Sequence, residues 1–200
     1  MKFITALRFL TILPLPRWRE SGQADVGPSL VYFPVVGLII GLFLAGLSRV
    51  LLMVLPPPIT HLLVLIALVL ITGALHLDGL ADTCDGLAGH TVEDRWRIMR
   101  DSHTGSFGVA GIVCLLLLKY VSLNNVPAQW LVPALVLMPM AGRWAMVYAI
   151  SLYPYARPTG LGRVFKQQAN GKNLIIATVF VLAVAGLSIT FSSSDSALAD

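Results

Sequence analysis

Six of the ten acidic residues in this 200-residue chain are Asp78, Asp82, Asp85, Glu93, Asp94 and Asp101, and none follows between 102 and 194. The densest stretch reads Leu77-Asp78-Gly79-Leu80-Ala81-Asp82-Thr83-Cys84-Asp85-Gly86. On a helix, Asp78, Asp82 and Asp85 stand at i, i+4 and i+7. At roughly 100° per residue they point to about 0°, 40° and −20°, a single narrow stripe. Like charges so spaced repel, and carboxylates at the end of an apolar span are costly to desolvate. A multivalent cation removes both costs. The ligands are hard oxygens, which suits Mg²⁺ or Mn²⁺ rather than zinc. The plain alternative is a helix end with solvated acids. Three acids on one stripe, flanked by Gly79, Gly86 and Gly89, favour the metal. Cys84 points away from the stripe and His76 lies on the far side; both read as packing residues.

Two further segments carry polar chemistry. The run from Arg95 to Met99 mixes Trp96, Ile98 and Met99 with arginines and suits an interfacial helix. After it, Asp101 and Ser102 either cap the next helix or serve as a fourth oxygen ligand and a phosphate contact. In the second case Ser102, Thr104, Gly105 and Ser106 offer hydroxyls and N–H groups to a phosphate at a helix N-terminus. The second segment runs from Tyr153 to Lys166 and is basic, acid-free and glycine-containing. Its Arg157 and Arg163 either set membrane orientation or clamp a diphosphate. Metal-binding carboxylates together with such bases are what phosphoryl transfer between alcohols requires. Arg143 falls inside an apolar run, so it needs either a phosphate or an acid as partner.

The elements that must position these residues are membrane helices. Apolar residues make up 56% of the chain and charged ones 12%, about half the usual quarter; mean hydropathy is +0.81. This excludes a disordered chain, a nucleic-acid partner and a secreted disulfide scaffold, and two cysteines make no framework. Uncharged runs at 26–48, 50–77, 102–118, 120–142 and 173–194 predict five spans, at about 30–54, 60–77, 105–123, 128–152 and 173–191. Pro56-Pro57-Pro58 and Asn124-Asn125-Val126-Pro127 mark turns. The opening 1–16 is too short to span and carries Arg8, so it reads as an interfacial or re-entrant helix rather than a signal peptide. The expected fold is an all-α polytopic membrane protein, one integral domain over 1–200, with about five spans plus that N-terminal helix. Lys and Arg outside the spans fall mainly in three regions: Lys2 to Arg19, Arg95 to Arg100, and Arg157 to Lys172. By the positive-inside rule those regions are cytoplasmic, while Arg49 and Lys119 snorkel at span ends.

The run from His76 to Gly86 closely resembles the signature of the cobalamin synthase family, whose members are adenosylcobinamide-GDP ribazoletransferases. Phe9-Leu10-Thr11-Ile12-Leu13-Pro14-Leu15-Pro16 is similar to the family's opening, and Phe33-Pro34-Val35-Val36-Gly37 to its first span. Ile98-Met99-Arg100-Asp101-Ser102 with Gly105 and Phe107-Gly108 resemble a second block. Arg143, Tyr155-Ala156-Arg157 and Gly160-Leu161-Gly162 resemble a third. The likeness covers about residues 3–166. His103 stands where the family usually has Arg. The resemblance also implies another membrane segment after the fifth span, which 1–200 is expected to lack.

The resemblance implies a bacterial inner-membrane transferase of cobalamin synthesis, with its active site on the cytoplasmic side. Its substrates would be adenosylcobinamide-GDP and α-ribazole or its 5′-phosphate. The products would be adenosylcobalamin, or its 5′-phosphate, and GMP. Asp78, Asp82 and Asp85 would hold Mg²⁺, and one of the three, with Asp82 a candidate, would accept the proton. Asp101, Ser102, Gly105, Arg143, Arg157 and Arg163 would bind substrate. A homo-oligomer stays open. Two alternatives are weighed. A CDP-alcohol phosphotransferase would carry Ala-Arg after its first Asp-Gly and a later second acidic pair, both missing here. A cation-transporting subunit would place its acids deep in a span.

Overall fold

The computed structural model describes residues 2–14, 27–156 and 160–197. Every regular element among them is helical. In chain order these are α1 (Lys2–Leu10), a 3₁₀ segment (Gly27–Tyr32), α2 (Phe33–Leu51), α3 (Pro57–Ile71), α4 (Leu75–Gly86) and α5 (Val92–Ile98). There follow α6 (Ser106–Asn125), α7 (Ala128–Leu152), α8 (Leu161–Gln168) and α9 (Gly171–Ala197). Among the described residues four stretches are long and apolar enough to cross a bilayer: Gly27–Leu51, Ser106–Asn125, Ala128–Leu152 and Gly171–Thr190. Pro57–Ile71 and Leu75–Gly86 make a fifth only as a pair bent by 87°. The all-α polytopic membrane fold is therefore as the uncharged runs imply.

The second span departs from its expected form. It is not one helix over 60–77; it breaks at 72–74. The Thr72 hydroxyl donates to Leu68 O (2.9 Å) and Val69 O (3.2 Å). Gly73 takes φ 59° and gives its N–H to Leu70 O (3.0 Å), while Ala74 N–H reaches Val69 O (3.0 Å). These paired bonds are a Schellman ending, which needs a left-handed residue just past the helix; glycine supplies it at no steric cost. Ala74 follows at φ 56°, and α4 sets off in a new direction. The proline run also acts differently from expectation. α2 ends at Leu51, and Pro57 and Pro58 lie in the first turn of α3, where a missing N–H costs nothing.

Chain contacts divide the protein into two compact units, Met1–Val50 with Val126–Asp200, and Leu51–Asn125. In the first, α1 buries Ala6 and Leu10. Phe9 stacks 5.8 Å from Phe33 and 5.1 Å from Phe165. Gly37 and Gly41 let α2 meet the α7 backbone: a Cβ on either would lie 2.6 Å from the Cα of Met140 or Val136. Small residues four apart allow this close helix approach in a membrane. Trp144 Nε1 donates to Thr178 Oγ1 (2.9 Å), joining α7 to α9. In the second unit, buried His61 of α3 bonds Asn124 of α6 (3.2 Å).

Candidate active site

α4 carries all three aspartates of the signature on one helix, as the spacing requires. Their burial differs along the stripe. Asp78 is exposed, Asp82 is half-buried, and Asp85 is only 8% exposed. Asp78 lies in the first turn of α4, where the helix dipole favours a negative charge.

Asp85 has a defined structural job. Its Oδ2 accepts the Gly105 N–H (2.7 Å) and its Oδ1 accepts the Gly108 N–H (2.8 Å). Those N–H groups belong to the start of α6, where helix donors lack intrahelical partners. A carboxylate there is a charge-assisted cap supplied from another helix. The approach depends on missing side chains. A Cβ on Gly105 would sit 2.5 Å from Asp85 Oδ1, and one on Gly111 would sit 2.5 Å from Cys84 Sγ. A Cβ on Gly108 would run into the Asp85 carboxylate and lie 3.1 Å from Ala81 O. The α4 face formed by Ala81, Cys84 and Asp85 thus packs on a glycine face of α6. Cys84 is the packing residue its position on the wheel suggests.

This arrangement changes how the sequence signals are assigned. The Gly105 N–H, a candidate phosphate donor, is given to Asp85 instead. Asp85 in turn is not gathered with Asp78 and Asp82 into a cage. Among the described residues no group of three His, Cys, Asp or Glu side chains is placed to hold a metal ion. Asp101 is exposed and closes a short turn, accepting the His103 N–H at 3.0 Å and meeting the His103 ring Nδ1 at 2.7 Å. The ring, then the backbone N–H, hold the Asp101 carboxyl below its ordinary value. Ser102, Thr104 and Ser106 are exposed beside it.

α5 forms as its ends dictate. Thr91 caps it by accepting Asp94 N–H (3.1 Å), and Arg97 pairs with Asp94 (2.9 Å). The Arg97 guanidinium, then the Thr91 hydroxyl, lower the Asp94 carboxyl pKa. Arg95 Nε donates to Gly89 O (3.0 Å). An open cavity of about 430 Å³ on this helix is lined by Glu93, Trp96, Arg97, Arg100 and Asp101.

Of the basic residues in the other unit, Arg143 is 5% exposed within α7. Its Nη1 donates weakly to Pro139 O (3.4 Å), while Nε and Nη2 are buried without a hydrogen-bond partner among the described residues. A guanidinium left so incomplete is costly unless an anion meets it. Arg163 is exposed on α8, and Arg157 lies outside the described residues. Around them the glycines serve Tyr155: a Cβ on Gly160, at φ 127°, would lie 2.7 Å from its Oη, and one on Gly162 2.6 Å from its ring. Lys166 Nζ donates to Ser151 O (3.0 Å).

Known proteins bear on this motif directly. A family model described as cobalamin-5-phosphate synthase matches residues 2–199. The chain belongs to the cobalamin-5-phosphate synthase family. That membership makes it a membrane-embedded enzyme of cobalamin synthesis. Among relatives, the adenosylcobinamide-GDP ribazoletransferase of Geotalea daltonii is 41% identical over 187 residues, covering 92% of this chain and 75% of its own. The protein of that name in Synechococcus elongatus is 40% identical over 167 residues, covering 83% of this chain and 65% of its own. That of Acetivibrio thermocellus is 36% identical over 195 residues, covering 93% and 79%. No solved structure matches the chain.

Proposed function

We propose that this chain transfers the adenosylcobinamide phosphate moiety of adenosylcobinamide-GDP to α-ribazole or its 5′-phosphate, releasing GMP. The observation that supports it most is the α4 stripe, in which Asp78 is exposed and Asp82 half-buried while Asp85 anchors the helix. Mg²⁺ commonly binds through one or two carboxylates, with substrate phosphates completing its shell. Asp78 and Asp82, one turn apart, fit that pattern, and Mn²⁺ fits the same oxygens. When bound, the cation would neutralise diphosphate charge. Asp82 would accept the proton of the attacking ribose hydroxyl. That oxygen would form a bond to the phosphorus nearer cobinamide, and the bond to the GMP oxygen would break. Asp101 and Ser102 at the head of α6, with Arg143, Arg157 and Arg163, are the proposed phosphate contacts. Assay with paired substrates tests this reading. Reconstituted protein should release GMP from adenosylcobinamide-GDP only when α-ribazole or its phosphate is present, and no CMP from a CDP-alcohol. CMP release instead would assign the chain to phospholipid-type transfer.

Arg143 gives a second test. Replacing a buried, under-bonded charge with an apolar residue of like volume is often neutral or stabilising. Arg143→Met should therefore leave thermal stability equal or higher. Turnover should fall by roughly 10², as for loss of one donor to developing charge. Unchanged turnover would remove Arg143 from the substrate contacts.

The proposed location is a bacterial inner membrane with α4 and α5 on the cytoplasmic side. A cysteine placed at His90, in a Cys114→Ser background, should resist a membrane-impermeant thiol reagent in intact cells and react after lysis. Labelling in intact cells would invert the orientation.

A further inference from the structure

Three spans of the unit formed by Met1–Val50 and Val126–Asp200 enclose a cavity of about 440 Å³. Its walls are Leu38 and Leu42 of α2, Val132 and Val136 of α7, and Val184 and Leu187 of α9. Polar side chains occur only at one end, where Arg49, Gln129 and Ser188 line it. From Leu38 to Arg49 the helix rises roughly 16 Å at 1.5 Å per residue, about half of a 30 Å hydrocarbon core, which is one leaflet. Leu42 and Leu187 are more than half exposed, so the cavity opens on the outer face of the bundle. Water gains nothing in an apolar space of this kind.

The polar end carries a cation, Arg49. Between 26 and 50, and between 126 and 194, the sequence contains no Asp or Glu. Neither described ion pair involves Arg49. The Ser188 hydroxyl donates to Val184 O (2.8 Å), leaving its oxygen as an acceptor. A cation beside hydrogen-bond acceptors, above a leaflet-deep apolar slot, has the charge and shape order of an anionic phospholipid with a hydroxylated headgroup. We propose that this cavity binds one such lipid, its phosphate on Arg49 and an acyl chain along Leu38 and Leu42. A general surface attraction would not need the slot, and a soluble anion would not use it. The proposal does not depend on the proposed reaction.

Native mass spectrometry of the detergent-extracted full chain, titrated with phosphatidylglycerol or phosphatidylcholine, tests this. One phosphatidylglycerol should bind with a preference of about fivefold or more over phosphatidylcholine, the scale of one Arg at an anionic headgroup. Arg49→Gln should erase that preference, and Arg49→Lys should keep most of it. Val132→Phe, which fills the slot, should weaken both lipids. Inorganic phosphate should not compete. Equal binding of the two lipids, an unchanged preference in Arg49→Gln, or unaltered binding in Val132→Phe would overturn the proposal. Displacement by inorganic phosphate would also overturn it, marking a free-anion site.

Discussion

Asp82→Asn should lower turnover by about 10²–10⁴, the range that a positioned proton acceptor contributes, while the protein still inserts in the membrane. Asp78→Asn should also be severely impaired, because it removes one of the two accessible carboxylates proposed to meet the cation. Asp78→Asn should not destabilise the fold. Asp78 is exposed and is repelled by Asp82 one turn on, so neutralising Asp78 relieves about 0.2–0.5 kcal/mol. Turnover measured on membranes of matched protein content, alongside thermal unfolding, checks both statements. Near-normal turnover in both variants would remove the pair from the chemistry.

Asp85→Asn should behave differently, although the residue belongs to the same signature. Its carboxylate accepts two backbone N–H groups at the head of α6. An amide keeps one acceptor and turns an NH₂ group toward the other donor. Hydrogen bonds to a charged group contribute about 1.5–3 kcal/mol each, so a destabilisation of about 2–4 kcal/mol is expected. Gly108→Ala should do comparable damage, since its Cβ would run into the same carboxylate and crowd the Ala81 carbonyl. Overpacking of this kind typically costs about 1–3 kcal/mol, with the lost cap in addition. Thermal unfolding should therefore separate Asp85→Asn and Gly108→Ala, both lowered, from Asp78→Asn. If Asp85→Asn melted like the wild type while losing all turnover, Asp85 would be a ligand rather than a cap.

That contrast shows where sequence reasoning stops. The uncharged runs predict the helices because a bilayer needs about 20 apolar residues per span, and Pro127 marks the turn before α7 at its observed place. The stripe on α4 follows from helical period alone. The break at 72–74 does not. Gly73 is a single glycine in an apolar run, and its left-handed geometry becomes visible only with the Schellman bonds around it. Ala74 gives no hint at all of a positive φ. The separate role of Asp85 is equally hidden, because three aspartates on one stripe look alike until a neighbour chooses among them. The neighbour lies 20 and 23 residues further on, at Gly105 and Gly108. Its one sequence signal is the three-residue spacing of Gly105, Gly108 and Gly111, which on a helix clears a face for close packing. Arg143 is intermediate. An arginine in an apolar span announces that it needs a partner; that two of its donors lie buried and unmatched takes the structure.

The most direct test of the proposed chemistry on α4 is GMP release from adenosylcobinamide-GDP and α-ribazole, followed against Mg²⁺ concentration for wild-type protein and Asp82→Asn side by side in liposomes. Wild-type release should be absent in chelator, return with Mg²⁺ or Mn²⁺ and saturate, while Asp82→Asn stays at least about 10² lower at every concentration. Wild-type release that persists in chelator, or matching curves for the two proteins, would contradict a cation-dependent transfer carried by these carboxylates.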